Sequence, residues 1–159
     1  MAPIISFVGK HNSGKTTLLA AIVSILERQG IKTAVVKHAS SGLDLTGERD
    51  SDRLFQAGAS LVCAVSPGLS LLYRRENNVK LETVYRQISE DVDLVISEGF
   101  KTEAFPKIEV LRKEISTSIL NIDNVVARVA DFPLEGPTPC FAFSQQKEIA
   151  NFILGYFGL

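Results

Sequence analysis

The chain has 159 residues, 45% of them hydrophobic and 22% charged, and a formal net charge of −1. A chain of this length can bury roughly 70% of its unfolded surface, enough for a single well-formed core. The near-neutral balance excludes the strong basic field that gathers nucleic acid or binds acidic membranes.

In chain order, "IISFV" reads as a first strand, and Thr16 to Gln29 as a helix stopped by Gly30. "TAVVKH" is a second strand, and Asp50 to Ala57 has the spacing of a short helix ending at Gly58. "SLVCAVS" is a third strand, Pro67-Gly68 a turn, and "LSLLYRR" a fourth strand. A helix follows over Leu81 to Glu90, then "VDLVIS", an apolar run of the kind buried on both faces of a sheet. "KIEVLRK" alternates less cleanly, "NVVARVA" and "PCFAFS" are later strands, and a last helix begins near Ser144. This alternation predicts an α/β fold: one domain over residues 1–159, with a mostly parallel sheet and helices on both faces. The polar stretch Ser40 to Arg49 is the longest structureless loop, a feature that more often serves function than decoration.

Other stretches narrow the class. Ile149, Phe152, Ile153 and Phe157 in the apolar tail are helix-spaced and expected to pack on the core rather than on a membrane. No apolar run approaches the ~18 residues of a membrane span, and the Met1 end lacks the pattern of a signal peptide. Cys63 and Cys140 lie in apolar segments, where buried, reduced thiols are expected, and no Cys or His pair has zinc-ligand spacing. A cytoplasmic protein without nucleic-acid or membrane partners is the expectation.

The segment "GKHNSGKTT" carries the chemistry. Gly9-x-x-x-x-Gly14-Lys15-Thr16 is the P-loop pattern, here between a predicted strand and a predicted helix, the context that confirms it. Glycines let the backbone approach a phosphate, and the backbone N–H groups of Lys10, His11, Asn12, Ser13, Gly14 and Thr17 lie in or beside the cradle. Lys15 is expected to face the β/γ phosphates, and the Thr16 hydroxyl Mg²⁺. His11 reads either as a loop hydrogen-bonder or as an acid or base.

Such a site needs a carboxylate at the end of a neighbouring strand. Glu98, just past "VDLVIS", is the candidate metal or water ligand and, with Lys15, the candidate catalytic residue. Asp93 lies at the wrong end of that run and is expected to be structural. Asp50 and Asp52 open a short helix, where acids stabilise the first turn by ~0.3–1 kcal/mol. Asp50 therefore has a structural account as well as a possible role at the metal. Lys37-His38 ends the second strand at the same sheet edge, Lys37 facing an anion and His38 either a ligand or a packing histidine.

Taken together, "FVGKHNSGKTTL", "TAVVKH", "DSDRLFQAGA", "DLVISEGFK" and "FPKIEVLR" resemble the molybdopterin-guanine dinucleotide biosynthesis protein B (MobB) family, over Phe7 to Arg112. The resemblance implies a P-loop NTPase three-layer sandwich that binds GTP and Mg²⁺ and has weak GTPase activity at most. It implies a homodimer that assists a molybdenum cofactor guanylyltransferase, the partner that joins GMP to molybdopterin. By position, Gly9 to Thr17 bind phosphates, Thr16 takes Mg²⁺, and Asp50 and Glu98 line the metal and γ-phosphate side. Lys10 follows the first glycine as in P-loop proteins that dimerise around nucleotide, where this lysine reaches the partner's phosphate; a solvated lysine is the alternative.

Two departures stand out. Ala39-Ser40-Ser41 occupies the place where family members often carry further histidines, and the guanine-reading Asn-Lys-x-Asp motif is absent. Asp131, at a strand end, fits either a guanine edge or turn chemistry. The Glu98 loop followed by Phe100, Lys101 and Phe105-Pro106-Lys107 suggests an apolar, basic segment that carries nucleotide state to a partner. The rival readings are a P-loop small-molecule kinase, for which only Arg49 and Arg53 offer lid arginines, and a nucleotide-binding adaptor without turnover.

Overall fold

Strands and helices follow in the order β1 (Ile4–Val8), α1 (Lys15–Arg28), β2 (Thr33–Lys37), α2 (Asp50–Gln56), β3 (Leu61–Ser66) and β4 (Leu69–Arg74). Then come α3 (Leu81–Ile88), β5 (Leu94–Glu98), β6 (Lys107–Leu111), β7 (Val125–Ala130), β8 (Cys140–Phe141) and α4 (Gln146–Phe157). The computed structural model describes all residues 1–159, which divide into two compact units, Met1–His38 with Leu81–Leu159, and Ala39–Lys80.

The first unit is built on a six-stranded sheet of order β2-β5-β1-β6-β7-β8, in which every pairing is parallel. The central strands are continuous apolar runs because helices cover both faces. Ile5, Phe7, Leu94, Ile96, Ile108 and Val110 point to one face, where Leu18, Ile22 and Leu26 of α1 and Ile149 and Ile153 of α4 meet them. Phe152 and Phe157 pack on the same core, as their helical spacing predicts. Ile4 and Val95 point to the other face, against Leu81, Tyr85 and Ile88 of α3. The result is a three-layer α/β sandwich whose strand C-termini share one edge, where such sheets collect ligands.

Two buried charges on β6 tie neighbouring loops to the sheet. Lys107 is 2% exposed, and its ammonium donates to the carbonyls of Glu103, Phe105 and Asp123 at 2.6, 3.1 and 3.1 Å. It therefore gives no basic surface to the segment after Glu98, contrary to the sequence expectation; burial lowers its pKa, and the three carbonyls satisfy its three donors. Glu109 is 1% exposed, accepts from Arg128 Nε at 3.0 Å and from the Leu120 amide at 2.5 Å. Asp93 accepts from the Lys32 amide at 2.8 Å at the opposite edge, a structural role as expected.

The second unit holds α2 and a hairpin. β3 and β4 pair antiparallel with each other as a separate two-stranded sheet, through the Pro67-Gly68 turn, instead of joining the parallel sheet. Asp52 is buried and accepts from Tyr73 Oη at 2.7 Å, and Arg75 sits 4.2 Å above the Phe55 ring. Asp50 is exposed, with its carboxylate 4.0 Å from Arg53 in the first turn of α2.

The cysteines overturn their expectation, for both are exposed. Cys63 lies on the two-stranded sheet, which has no thick core behind it, and Cys140 on the short edge strand β8. No helix is long and apolar enough to cross a membrane.

Candidate functional site

The loop between β1 and α1 is shaped by what cannot fit there. A Cβ on Gly9 would stand 2.4 Å from the Val110 carbonyl oxygen, so only glycine lets the loop lie this close to β6. Gly14 is left-handed at φ +85°, and a Cβ there would meet Arg112 Nη2 at 2.9 Å. Gly14 is also the N-cap of α1, without a side-chain cap, and no acidic residue occupies the first turn. The first amides of Lys15, Thr16 and Thr17 thus keep their donors for an anion, reinforced by the positive end of the helix.

Lys15 folds back over this loop. Its ammonium donates to the Lys10 carbonyl at 2.6 Å and to Ser13 Oγ at 3.3 Å. Burial lowers its pKa, Glu98 opposes that shift, and Lys101 and Lys37 add to it. Ser13 is buried, while His11 and Asn12 are exposed at the loop's tip, Asn12 at φ 60°. Lys10 points away from the cradle and donates to Ser116 Oγ of the same chain at 2.8 Å.

On the β5 side the expected residues converge. Thr16 Oγ1 donates to Glu98 Oε2 at 2.9 Å, and Lys37 Nζ lies 3.2 Å from Thr16 Oγ1 and 3.3 Å from Glu98 Oε2. A hydroxyl and a carboxylate are hard oxygen donors, the set Mg²⁺ accepts when phosphates and water complete its shell. The Lys37 ammonium shows that this spot already favours a positive charge. The donor set therefore fits Mg²⁺.

His38 continues the ladder through its N–H to the Glu98 carbonyl at 2.9 Å, and its exposed ring packs on Phe100 at 4.9 Å between centroids. Phe100 has φ 54°, a left-handed conformation that costs a bulky side chain roughly 1–3 kcal/mol. The turn carrying Glu98 is therefore held under strain by packing at its next residue but one.

On the β6 side lies a residue that belongs to no sequence motif. Arg112 follows directly on β6; its guanidinium sits 4.2 Å above the Phe143 ring, beside Gly14, and 4.0 Å from Asp131 Oδ2. Asp131 Oδ1 in turn accepts from the Lys113 amide at 2.7 Å. The only available signal was positional: Arg112 follows a strand in a parallel sheet, where residues face the ligand edge. Arg49, Asp50 and Arg53, by contrast, belong to the second unit, where Arg53 Nε donates to the Gly47 carbonyl at 3.2 Å.

Known proteins resemble this chain over most of its length. The family described as molybdopterin guanine dinucleotide synthesis protein B matches residues 4–131. A molybdopterin-guanine dinucleotide biosynthesis adapter protein of Haemophilus influenzae is 32% identical over 155 residues, covering 95% of this chain and 87% of the relative. A probable adapter protein of the same description from Bacillus subtilis is 32% identical over 130 residues, covering 79% and 74%. A crystal structure of molybdopterin-guanine biosynthesis protein B superposes with a TM-score of 0.81 at 31% identity, covering 96% of this chain and 99% of that one.

Proposed function

The chain belongs to the molybdopterin guanine dinucleotide synthesis protein B family, and on that premise we propose that it is a GTP-binding adapter with at most weak GTPase activity. It would assist a guanylyltransferase that joins GMP to molybdopterin. The observation that carries this reading is the meeting of Thr16, Glu98 and Lys37 beside an uncapped helix N-terminus whose loop holds Lys15.

In this reading Gly9 to Thr17 cradle the β and γ phosphates with their amides, and Lys15 swings from the Lys10 carbonyl onto the phosphate oxygens. Thr16 and Glu98 would hold Mg²⁺, which when bound neutralises the β/γ charge. Lys37, 3.2 Å from Thr16 Oγ1, would be at hand for a phosphate oxygen. Glu98, committed to Thr16 and the metal position, would leave the attacking water without a dedicated base, which suits slow turnover. The adaptor without turnover stays the nearest rival on the same observation.

The homodimer has its own support. Leu61, Val65 and Leu72 share one face of the β3–β4 hairpin and are 49%, 77% and 53% exposed. A lone hairpin is marginal in water, and these apolar side chains gain most if a second copy of the chain covers them. A cytoplasmic site of action fits an adapter of this class.

Calorimetric titration of the purified protein with GTP and ATP, each with and without Mg²⁺, tests the proposal. GTP binding strengthened by Mg²⁺, with only slow phosphate release, is expected. Preference for ATP with transfer of phosphate to a small molecule would hand the case to the kinase. Sedimentation at a monomer mass over the micromolar range would remove the dimer.

A further inference from the structure

The proposed function fixes one end of a linear ligand. Its terminal phosphate and metal lie on the β5 flank of β1, with Thr16, Glu98 and Lys37. The sheet order puts β6, β7 and β8 on the opposite flank, at roughly 5, 10 and 14 Å from β1 given the ~4.8 Å strand spacing. A phosphate chain that crosses the start of α1 from the β5 flank leaves over Gly14. There it meets Arg112 and Phe143.

Beyond that pair an open cleft runs along the C-terminal ends of β7 and β8, lined by Asp131, Phe132, Pro133, Leu134, Cys140 and Phe141. The lining is aromatic, prolyl and aliphatic with one carboxylate, a surface suited to a flat ring that carries polar edges. Arg112 lies next to this cleft on the phosphate side, 4.0 Å from the carboxylate of its lining residue Asp131. The guanidinium sits 4.2 Å over the Phe143 ring, and the Asp131 carboxylate accepts from the Lys113 amide. Planar guanidinium and aromatic groups both stack on nucleobases.

We propose that this cleft seats the purine base of the nucleotide, with the Arg112–Phe143 stack as the wall between base and phosphates and Asp131 as the residue that positions Arg112. This rests on the phosphate-site reading above, but locates recognition in residues that no motif marks. It also accounts for the missing Asn-Lys-x-Asp signature, since stacking surface here takes the place of a dedicated hydrogen-bonding motif.

The exposed thiol of Cys140 reports on the cleft directly. Alkylation with iodoacetamide, followed by mass spectrometry, is compared under saturating Mg²⁺–GTP and saturating Mg²⁺–tripolyphosphate, with Cys63 as the internal reference. The reaction is run on the alkaline side, because burial pushes the Cys140 thiol up. GTP should slow Cys140 alkylation by about 10-fold, and tripolyphosphate, which has no base, should leave it unchanged. In parallel, Phe143→Ala should weaken GTP by about 10-fold and tripolyphosphate by less than 2-fold. Equal alkylation rates under the two ligands, or equal loss of affinity for both in Phe143→Ala, overturns the base cleft while leaving the phosphate site standing. Failure of the wild-type protein to bind either ligand overturns the phosphate site and the cleft with it.

Discussion

The two flanks of the phosphate loop are built on opposite principles. On the β5 flank, Thr16, Glu98 and Lys37 form a small polar triangle whose hydrogen bonds can all be exchanged for a metal and a phosphate. On the β6 flank, Arg112 lies on an aromatic ring with its carboxylate partner at 4.0 Å, a cation kept flat and in place before any ligand arrives. Each flank is fastened by a buried charge two residues apart on β6, Lys107 for the loop that follows Glu98 and Glu109 for the loop that follows Arg112. On the proposed reading the two sides divide the labour: one would exchange partners with the state of the nucleotide, and the other would offer a standing surface.

The comparison is broken most completely at its centre. Lys15→Ala should lower GTP affinity by about 1,000-fold, and tripolyphosphate affinity equally, because charge-assisted bonds to the phosphates go with it. Titration calorimetry reads the loss, and an affinity within 10-fold of wild type would mean that the loop does not hold phosphate. Next in size, Glu98→Gln should slow GTP hydrolysis by about 100-fold and remove the Mg²⁺ enhancement, while metal-free binding stays near wild type. A variant with full Mg²⁺ dependence would assign the metal to another ligand.

Two smaller effects test the scaffold. Lys107→Met leaves three carbonyls without their donor and should cost about 2 kcal/mol, a fall in Tm of roughly 5 °C. An unchanged Tm would show that the anchor of the β5 flank is dispensable. Lys15 itself carries a signed effect. Its folded pKa is lowered, first by burial, from the ordinary 10.5, so the folded protein penalises the charged form. That penalty is complete at neutral pH and lifts as pH rises through the folded pKa. Apo Lys15→Met should therefore melt about 2 °C higher than wild type at pH 7, and the gap should close towards pH 10. A gap that widens with pH would reverse the assigned sign.

How much of this was legible depended on how local the signal was. The phosphate loop is written in consecutive residues, and the β5 flank in strand ends recognisable from apolar runs, so Thr16, Lys37 and Glu98 were expected together and are found together. The parallel sheet followed from the alternation of elements. The hairpin did not: its runs look like any strand, and only the short Pro67-Gly68 turn hinted that β3 and β4 answer to each other rather than to the sheet. Arg112 escaped because its importance lies in which strands neighbour β1, a fact of topology that no spacing records. Lys107 misled for a related reason, since a lysine beside proline reads as surface until three carbonyls from two loops are seen to converge on it.

The close approach of Gly9 to the Val110 carbonyl has a mechanical consequence. With no side chain between them, loop and strand behave as touching gears rather than as neighbours with slack. Any outward displacement of the loop as it grips a phosphate pushes on β6 two residues before Arg112. On the proposed reading, Arg112 would thereby be coupled to the grip on the phosphates through the close approach of Gly9 to β6. A larger residue at position 9 would jam that linkage as well as spoil the cradle.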